Sequence, residues 1–545
     1  MSKTRKTLLN SERLGRQWLL APELFDAQYV EKKAAEYTSA LPYRHVCFNS
    51  VCDDGRLRKV LEELEGHLTL SFKETDLFKV LQSVDLASLD VDGLQDACIN
   101  LIALRNELYS DKFRQLIEQV TGCPKLESRV DCSCNVYPTG GHLLCHDDVI
   151  GTRCVSYILY LSEPDEEWTL EDGGALELYS VTTTTPSLPE SVPSKEILPK
   201  WNSMVVFGIE PGKSFHAVQE VHAQRKSRVS ISGWFHVAHS KHILRGASAQ
   251  TLLHGTHIFT QSTGDKDMKL IESTLDTRPI DSSPFREDDR ENLRRWVNSQ
   301  YLSGTGIQRL QDHFSSRGSM LLRDFLHHNI VRELKSLMTL ARKEFSSTST
   351  NGHDFGTCWT LCGPPHVRRF LQCTKNSKEE AEMVPNCTDI HLLLCQIRSH
   401  VFNSGSFERW LASIVGSSNL GVTNAEIRCF RPGHDYTVAV QKPISHAKHI
   451  STILCFVDDF EASEKHMWAS GEVGGYICHI GVTKKSVSPA EIYEEEDDDT
   501  VLSIDAAFNT LSLVSSGEDG FEFVKYVSSM APSPRWDISL EMVQA

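Results

Sequence analysis

A series of short β-prone segments between residues 129 and 238 restricts the possible folds of this chain more than any other feature. Each segment is rich in β-branched and aromatic residues and is bounded by Gly, Pro or Asp, which is typical of strands joined by turns. The clearest segments are 130–137, 154–161, 175–181, 203–207 and 228–236. Residues from about 57 to 120 precede them and have the apolar spacing of amphipathic helices. This pattern predicts an α+β, mainly β fold, in which helices support a β-sandwich or barrel.

Four short segments of the first half recur in the same order in the second half. The pairs are 137–140 with 430–433, 156–161 with 451–456, 171–174 with 472–475, and 228–232 with 535–539. Because the order is shared, we predict two tandem copies of one β-fold. The predicted first domain is 1–240, with its β core at about 129–238. A polar linker region at 241–290 and a second domain at 291–545 follow.

The composition excludes several classes of protein. Among 545 residues, 73 Asp and Glu outnumber 56 Lys and Arg, and the net charge of −17 argues against direct nucleic-acid binding and favours a basic protein as partner. No stretch approaches the ~20 apolar residues that cross a bilayer, and no apolar run follows the first basic residues as in a secretory signal. We expect an intracellular protein without a membrane partner, in which the 16 scattered cysteines are mostly buried thiols. The acidic loop at 491–499 is interpreted as solvated, with docking of a basic partner as the alternative.

His146 and Asp148, with His216 further along the chain, are the strongest candidates for chemistry. If residues 146–148 are in a strand, His146 and Asp148 point to the same face, because side chains alternate along a strand. His216 from a distant strand would complete a set of two imidazoles and one carboxylate. Such a set occupies one face of an octahedral Fe(II) and leaves positions for a bidentate cosubstrate and dioxygen. The lack of a thiolate in the set argues against a structural zinc site.

Arg228 stands twelve residues after His216 and begins a β-prone segment. In a strand, Arg228, Ser230 and Ser232 would share one face. The guanidinium group matches a carboxylate, and Ser230 could add a hydroxyl donor to the same group. A pocket with iron at one end and Arg228 at the other would fit a short diacid. Each residue alone has a structural explanation, such as a core histidine or a surface Arg–Ser pair, but the order and spacing of the whole set favour catalysis.

Cys358, Cys362 and His366 form a second set of candidate metal ligands, with three residues between successive members. A fourth ligand is not evident, and the spacing is not that of a standard zinc finger. Buried cysteines beside Trp359 are the favoured interpretation, and a zinc site is the alternative.

The residues singled out above resemble the pattern of a known family. The β core of the first half is similar to the double-stranded β-helix of Fe(II)- and 2-oxoglutarate-dependent oxygenases of the prolyl-hydroxylase branch. The residues that carry the resemblance are, in order, Tyr137, His146, Asp148, His216 and Arg228. With its tandem second half and acidic loop, the whole chain resembles the ribosomal prolyl 3-hydroxylase family, whose fungal counterpart is a termination and polyadenylation protein. The resemblance implies two tandem double-stranded β-helix domains of the jelly-roll, cupin-like type with supporting helices.

The resemblance also implies roles for single residues. The implied iron ligands are His146, Asp148 and His216. Arg228 would bind the distal carboxylate of 2-oxoglutarate, and Tyr137 and Tyr160 match tyrosines that help to hold this cosubstrate. For Tyr160, an aromatic ring that fills the barrel is the alternative.

The family resemblance further implies Fe(II), 2-oxoglutarate and dioxygen as cofactor and cosubstrates, with L-ascorbate restoring Fe(II). The implied substrate is one proline of a basic ribosomal protein at the decoding centre of the small subunit. Roles in translation accuracy, termination and the stress response, and a location in cytoplasm and nucleus, follow from the same resemblance, as do translation or stress-granule factors as further partners. Two alternatives stay open: hydroxylation of Asn, Lys or His, and a non-catalytic scaffold that binds translation factors.

The second copy departs from the iron-binding pattern. If Phe430 corresponds to Tyr137, other residue types stand at the three iron-ligand positions, while the arginine that corresponds to Arg228 is kept. The corresponding residues are Ala439, Gln441, Glu522 or Phe523, and Arg535. We therefore predict a non-catalytic β-domain that helps to hold a protein substrate.

Overall fold

The computed structural model divides the chain into two compact units, Met1–Leu252 and Leu253–Ala545. It describes residues 18–90, 94–184, 187–238, 277–347, 358–373, 389–417, 420–439, 448–480, 501–517 and 520–544. The acidic loop at 491–499 and most of the predicted linker lie outside these residues. Of the helices in these ranges, none combines the length and the apolar character of a membrane-spanning segment.

The helices of the first unit bury one apolar face against the β-sheet. They are α1 (Ala27–Ser39), α2 (Asp54–His67), α3 (Ile99–Leu108) and α4 (Asp111–Thr121). The predicted apolar spacing is confirmed in α2, where Leu57, Val60 and Leu64 are buried. The side chains of Asp53 and Ser110 accept backbone N–H bonds at the starts of α2 and α4, which fixes where these helices begin.

The strands of the first unit form one antiparallel sheet that carries the site. They are β1 (His45–Asn49), β2 (Leu70–Glu74), β3 (Phe78–Ser83), β4 (Leu126–Tyr137), β5 (His142–His146), β6 (Arg153–Tyr160), β7 (Leu176–Leu178), β8 (Lys195–Ile197), β9 (Ser203–Gly208), β10 (His216–Val218) and β11 (Arg228–Val237). Their order is β1-β9-β6-β11-β4-β3-β5-β10-β7-β8, with β2 paired to β3. The five predicted strands are confirmed as β4, β6, β7, β9 and β11.

A hairpin interrupts the region predicted to be helical. The prediction of helix from about 57 to 120 is wrong at β2 and β3, which pair with each other in an antiparallel hairpin. Leu68, Leu70 and Phe72 alternate with polar residues, and this period of two is that of a strand rather than a helix. Phe72 is half exposed, because β2 pairs only with β3 among the described strands.

The second unit combines a large and a small antiparallel sheet with six described helices. The strands are β12 (Arg278–Pro279), β13 (Ser319–Leu322), β14 (Trp359–Cys362), β15 (Arg368–Cys373), β16 (Leu420–Val422), β17 (Glu426–Phe430), β18 (Tyr436–Thr437), β19 (Lys448–Phe456), β20 (Ile477–Ile480), β21 (Val501–Ile504), β22 (Thr510–Ser516), β23 (Phe521–Val524) and β24 (Arg535–Gln544). The helices are α5 (Glu287–Leu293), α6 (Gly304–Arg317), α7 (His328–Ser347), α8 (Asp389–Ile397), α9 (Gly405–Val415) and α10 (Ala462–Ala469).

The two units repeat one strand order. The order β22-β19-β24-β17 in the second unit reproduces β9-β6-β11-β4 in the first. Arg535 pairs in register with Phe430 across β24 and β17, as Arg228 does with Tyr137 across β11 and β4. The second β-fold is therefore a structural copy of the first. Phe430 and Arg535 occupy the positions of Tyr137 and Arg228, as predicted.

A glycine turn after β4 and after β17 is repeated as well. Gly140 has φ 80° and Gly433 has φ 77°, in the region that favours glycine. The N–H of Gly140 donates to the carbonyl oxygen of Val221 at 2.8 Å, and that of Gly433 donates to Val527 at the same distance.

Part of the predicted linker belongs to the folded second unit. Where the structure describes residues 277–290, they form β12, which pairs with β16, and the start of α5. Asp281 and Asp289 form ion pairs with Arg409 on α9. These two aspartates of the predicted linker are thus partners in ion pairs of the folded unit rather than solvated chain.

Candidate active site

The two predicted imidazole ligands lie on neighbouring strands of the first unit. His146 is the last residue of β5 and His216 is the first of β10, and the two are register partners in this antiparallel pair. Residues in register on adjacent strands point to the same face of a sheet. Strand pairing therefore brings together two side chains that are far apart in the sequence.

Asp148 reaches the same point by a route that differs from the predicted one. Because β5 ends at His146, Asp148 is not in a strand, and the argument from alternating side chains is wrong. Its φ of 60° lies in the left-handed region, which non-glycine residues seldom adopt. The carboxylate meets both imidazoles from this turn: Oδ1 is 3.3 Å from His146 Nε2, and Oδ2 is 3.4 Å from His216 Nε2.

The three side chains form a compact and buried set. Their exposed fractions are 9% for His146, 5% for Asp148 and 4% for His216. The two imidazole centroids are 4.2 Å apart, and the three ligand atoms all lie within 4.8 Å of one another. One metal ion can therefore contact all three groups.

Hydrogen bonds fix the orientation of each member of the set. Nδ1 of His146 lies 2.8 Å from the carbonyl oxygen of Leu144, and Nδ1 of His216 lies 2.9 Å from that of Ser214. Since a carbonyl only accepts, each Nδ1 carries a proton, and each Nε2 is the ring atom that faces Asp148 and can bind a metal ion once it is deprotonated. The indole N–H of Trp234 donates to Asp148 Oδ2 at 2.9 Å and holds the carboxylate in place.

The charges of the set are mutually supporting. Burial acts to raise the pKa of Asp148, but His216 and His146 outweigh it and hold this pKa well below its usual range. Burial acts to lower the pKa of His146, and the carboxylate of Asp148 outweighs it and raises this pKa. A divalent cation would take over the role of the shared proton, because it satisfies the same carboxylate at the same place.

Arg228 lies at a separate position on the same β-fold and is 1% exposed. Its Nε donates to the carbonyl oxygen of Gly174 at 2.9 Å, and its Nη1 donates to Ser230 Oγ at 3.4 Å. The rings of Tyr137 and Tyr160 flank the guanidinium, with centroids 4.9 and 5.1 Å from its central carbon. Its Nη2 is buried without a hydrogen-bond partner, and no carboxylate forms an ion pair with it among the described residues.

The two flanking tyrosines are neutral at physiological pH. Burial raises the pKa of Tyr137, and it raises the pKa of Tyr160 to about 12, although the charge of Arg228 opposes both shifts. A neutral phenol keeps its proton and can donate a hydrogen bond to an anionic ligand. These two tyrosines therefore add hydrogen-bond donors rather than negative charge beside Arg228.

The residues present fit both Fe(II) and a short diacid. Two imidazoles and one carboxylate, without a thiolate, are donors that suit ferrous iron with open positions. The buried, unpaired Nη2 of Arg228 needs an acceptor, because an unsatisfied buried charge is costly. A distal carboxylate of a bound diacid would supply that acceptor.

Comparison with known proteins agrees with this geometry. Residues 132–236 match the family described as the 2OG-Fe(II) oxygenase superfamily, and residues 288–545 match the one described as oxoglutarate and iron-dependent oxygenase degradation C-term. The chain is 40% identical over 524 residues to the prolyl 3,4-dihydroxylase OGFOD1 of Ostreococcus tauri, and the match covers 94% of this chain and 97% of that protein. The chain belongs to the OGFOD1 family of prolyl hydroxylases. It is a 2-oxoglutarate- and Fe(II)-dependent dioxygenase.

More distant proteins are also similar to this chain. The prolyl 3-hydroxylase OGFOD1 of Xenopus laevis is 28% identical over 491 residues, covering 86% of this chain and 80% of that protein. A solved prolyl-4-hydroxylase from Pseudomonas putida matches 38% of this chain and 100% of its own length, at 20% identity and a TM-score of 0.28.

Two residues of the OGFOD1-type site lie beyond the sequence prediction. Trp234 donates a hydrogen bond to the carboxylate of Asp148. The sequence could have indicated this residue, because alternation along β11 places Trp234 on the same face as Arg228 and Ser230. Gly174 contributes its backbone carbonyl to Arg228. A Cβ added to Gly174 would lie 3.2 Å from Arg228 Cδ, so glycine allows the arginine to pass closely.

The second copy of the fold lacks the groups of the oxygenase site. Ala439 packs in a buried apolar cluster with Cys478 and Phe523, and Gln441 lies outside the described residues. Glu522 pairs in register with His479, as His216 does with Leu178 in the first unit, so Glu522 takes the third ligand position.

The retained arginine of the second copy is already neutralised. Arg535 is fully buried and forms an ion pair with Asp537, the residue that stands where Ser230 stands in the first unit. Asp537 also accepts from Arg428 at 2.7 and 3.0 Å. Unlike Arg228, Arg535 therefore has a carboxylate of its own chain as a partner, although its Nε and Nη2 make no hydrogen bond.

The alternative zinc set at and after β14 does not form. Cys358 is disulfide-bonded, and Cys362 Sγ donates to Gln372 Oε1 at 3.1 Å. Burial lowers the pKa of His366 to about 4. Among the described residues these three do not converge on one point, whereas a different group of cysteines and a histidine does.

Proposed function

We propose that this chain hydroxylates a prolyl residue of a basic ribosomal protein at the decoding centre of the small subunit, and so acts on translation accuracy, termination and the stress response. The observation that carries the proposal is that one β-fold holds the buried His146, Asp148 and His216 together with a buried Arg228 whose Nη2 lacks a partner. Relatives named prolyl 3,4-dihydroxylase and prolyl 3-hydroxylase support proline as the target. The net charge of −17 supports a basic substrate.

The proposal gives each residue a task. Fe(II) would be held by the three residues His146, Asp148 and His216. Arg228, with Ser230, Tyr137 and Tyr160, would bind the distal carboxylate of 2-oxoglutarate. When bound, the iron supplies the activation of dioxygen, coupled to oxidative decarboxylation of 2-oxoglutarate. The protein orients the cosubstrate, and its buried walls exclude water from the reaction.

Four finer parts complete the proposal, and the first three rest on the family resemblance. L-Ascorbate would restore Fe(II) after turnover without substrate. Translation or stress-granule factors would be further partners, and the chain would act in cytoplasm and nucleus. The second unit would hold the protein substrate without an iron of its own, because its arginine is neutralised by Asp537.

An anaerobic titration tests the iron site directly. Fe(II) and 2-oxoglutarate are added to wild type and to His146→Ala, and the visible metal-to-ligand charge-transfer band is followed. The band is expected in wild type and is expected to be absent from His146→Ala, since one of three ligands is lost. No band in wild type would contradict the proposed iron site.

The substrate is tested in the same sample. Oxygen and peptides from basic proteins of the small subunit are added, and products are located by tandem mass spectrometry. A gain of one oxygen atom on proline supports a single hydroxylation, and a gain of two supports a dihydroxylation like that named for the Ostreococcus relative. Hydroxylation confined to Asn, Lys or His would contradict prolyl specificity.

The diacid pocket is tested by Arg228→Lys. Lysine keeps the charge but loses the planar fork, so the KM for 2-oxoglutarate is expected to rise roughly 10- to 100-fold. Arg535→Lys in the second unit is the matched control and should leave this KM unchanged, because Arg535 is paired with Asp537. An equal effect of both substitutions would contradict the assignment of the pocket to Arg228.

A further inference from the structure

Two cysteines and one histidine of the second unit meet at a point that the oxygenase chemistry does not use. Cys373 is the last residue of β15, and His391 and Cys395 are one turn apart on α8. Residues four apart on a helix project from the same face. All three are buried, with exposed fractions of 5%, 0% and 4%. We call this group the Cys373 cluster.

The distances within the Cys373 cluster match those around a single tetrahedral ion. Sγ of Cys373 is 3.7 Å from Sγ of Cys395, and Sγ of Cys395 is 3.5 Å from Nε2 of His391. With ordinary zinc bond lengths, two thiolates around one ion lie ~3.8 Å apart, and a thiolate and an imidazole nitrogen lie ~3.6 Å apart. The third distance, 3.0 Å between Cys373 Sγ and His391 Nε2, would widen slightly when an ion enters.

We propose that Cys373, His391 and Cys395 bind a structural Zn²⁺ that joins α8 to β15. Two sulfur donors and one imidazole favour zinc over Fe(II), Mg²⁺ or Ca²⁺, since soft donors select soft or borderline cations. The set differs in donor chemistry from His146, Asp148 and His216, which contains no sulfur. The described residues supply three of the four donors that a tetrahedral zinc site needs.

The environment of the cluster fits a structural site rather than a catalytic one. Cys373 and Cys395 belong to the main apolar core of the second unit, and the ring of Trp359 lies against His391 at 5.9 Å. The guanidinium of the buried Arg398 lies 3.8 Å from Cys395 Sγ and can support its negative charge. Because β15 pairs with β14 and β17, an ion here would fasten a helix to the large sheet.

A disulfide between Cys373 and Cys395 is the competing state. A bonded pair has its sulfurs about 2.05 Å apart, whereas these lie 3.7 Å apart and have a histidine nitrogen beside them. A disulfide would engage only the two cysteines, whereas a zinc ion would engage all three residues of the cluster.

The test measures metal content of the untagged full chain by mass spectrometry of the element. His146→Ala serves as background, so that zinc cannot be held by the oxygenase triad. About one zinc ion per chain is expected in this background, and it should be lost when Cys373→Ser or Cys395→Ser is added. Cys429→Ser is the matched control, because Cys429 is a buried free thiol on the neighbouring β17 and should not affect zinc content.

A second measurement keeps the proposal falsifiable if the serine variants do not fold. The His146→Ala protein is reconstituted with Co²⁺ in place of zinc, and thiolate-to-cobalt charge transfer with tetrahedral visible bands is expected. Absence of these bands, zinc content that the cysteine substitutions do not change, or a 373–395 disulfide found by peptide mapping would each overturn the proposal. None of these readouts depends on hydroxylase activity, so failure of the zinc proposal can be distinguished from failure of the proposed function.

Discussion

At the level of single residues, the iron site depends on a side chain that does not belong to the triad. Trp234 donates its indole N–H to Asp148 Oδ2 at 2.9 Å, and the guanidinium of Arg153 lies 3.4 Å from the centroid of its ring. Asp148 sits in a left-handed conformation, where its carboxylate is not positioned by strand geometry. The indole therefore carries much of the orientation of the third ligand.

Trp234→Phe keeps an aromatic ring and removes this hydrogen bond. We expect the affinity for Fe(II) to fall roughly 10- to 100-fold, as for other lost partners of metal ligands. Anaerobic Fe(II) titration in the presence of 2-oxoglutarate measures the change. Trp201→Phe removes a similar bond, from an indole to Asp54 on α2, and should leave iron affinity unaltered. Unchanged affinity in Trp234→Phe would show that Asp148 needs no such support.

At the level of elements, β11 lies in the interior of the sheet of the first unit, where it pairs with both β4 and β6. Gly233 lies on this strand where no side chain fits: an added Cβ would lie 1.7 Å from the carbonyl oxygen of Asp131. Gly233→Ala must separate the strands, and we expect it to lower the free energy of unfolding by at least about 2 kcal/mol.

Gly66→Ala is the matched control for Gly233→Ala. Gly66 lies in α2, and nothing lies within 4 Å of an added Cβ. Alanine is the better helix former, so we expect a gain of about 0.5–1 kcal/mol. Urea denaturation of both variants checks the pair, and equal losses in both would contradict the packing argument for β11.

The ion pair that connects α5 to α9 should make stability depend on pH. Hydrogen bonds from Arg409 hold the pKa of Asp289 at about 2, below the usual ~3.9 of an unfolded chain. Because the pKa is lower in the folded state, the ionised Asp289 stabilises the fold at pH values above the unfolded pKa. This stabilisation is lost as the pH falls toward 2. Asp289→Asn should therefore cost about 2 kcal/mol at pH 7 and little near pH 2. Urea denaturation at both pH values measures this, and a cost that does not depend on pH would contradict it.

At the level of the whole molecule, two copies of one strand order have diverged in their interiors. The first keeps Arg228 beside Ser230, whereas the second places Asp537 between Arg535 and Arg428. Burial acts to raise the pKa of Asp537, but the two arginines outweigh it and lower this pKa. The second interior is thus filled with a charge network of its own in place of a diacid.

Removal of that central carboxylate should destabilise the second unit. Asp537→Asn leaves two buried guanidinium groups without an anion, and we expect a loss of roughly 3–5 kcal/mol. Denaturation of the full chain measures the loss, while the Fe(II)·2-oxoglutarate band of the first unit should persist before unfolding. Asp312→Asn on the exposed face of α6 is the control and should change stability by less than about 0.5 kcal/mol. A loss no larger than that of the control would contradict the charge network.

Much of the first unit can be predicted because its signals are local. Strands β4, β6 and β11 are long enough to show alternation, and the spacing from His216 to Arg228 is visible in the sequence. The hairpin β2–β3 escapes prediction because helical patterns on both sides of it suggest one continuous helical region. The conformation of Asp148 cannot be predicted, since a left-handed turn leaves no period in the sequence.

The sequence by itself determined which residue types could bind iron and a diacid. It also determined that the β-prone segments recur in the second half without the iron ligands. Only the tertiary structure decided that His146 and His216 are register partners and that Asp537 neutralises Arg535. It also decided that Cys373 meets His391 and Cys395, rather than Cys358 meeting Cys362 and His366. The physical reason is common to these cases: contacts between residues distant in the chain depend on strand register and helix packing, which the spacing of residues along one segment does not specify.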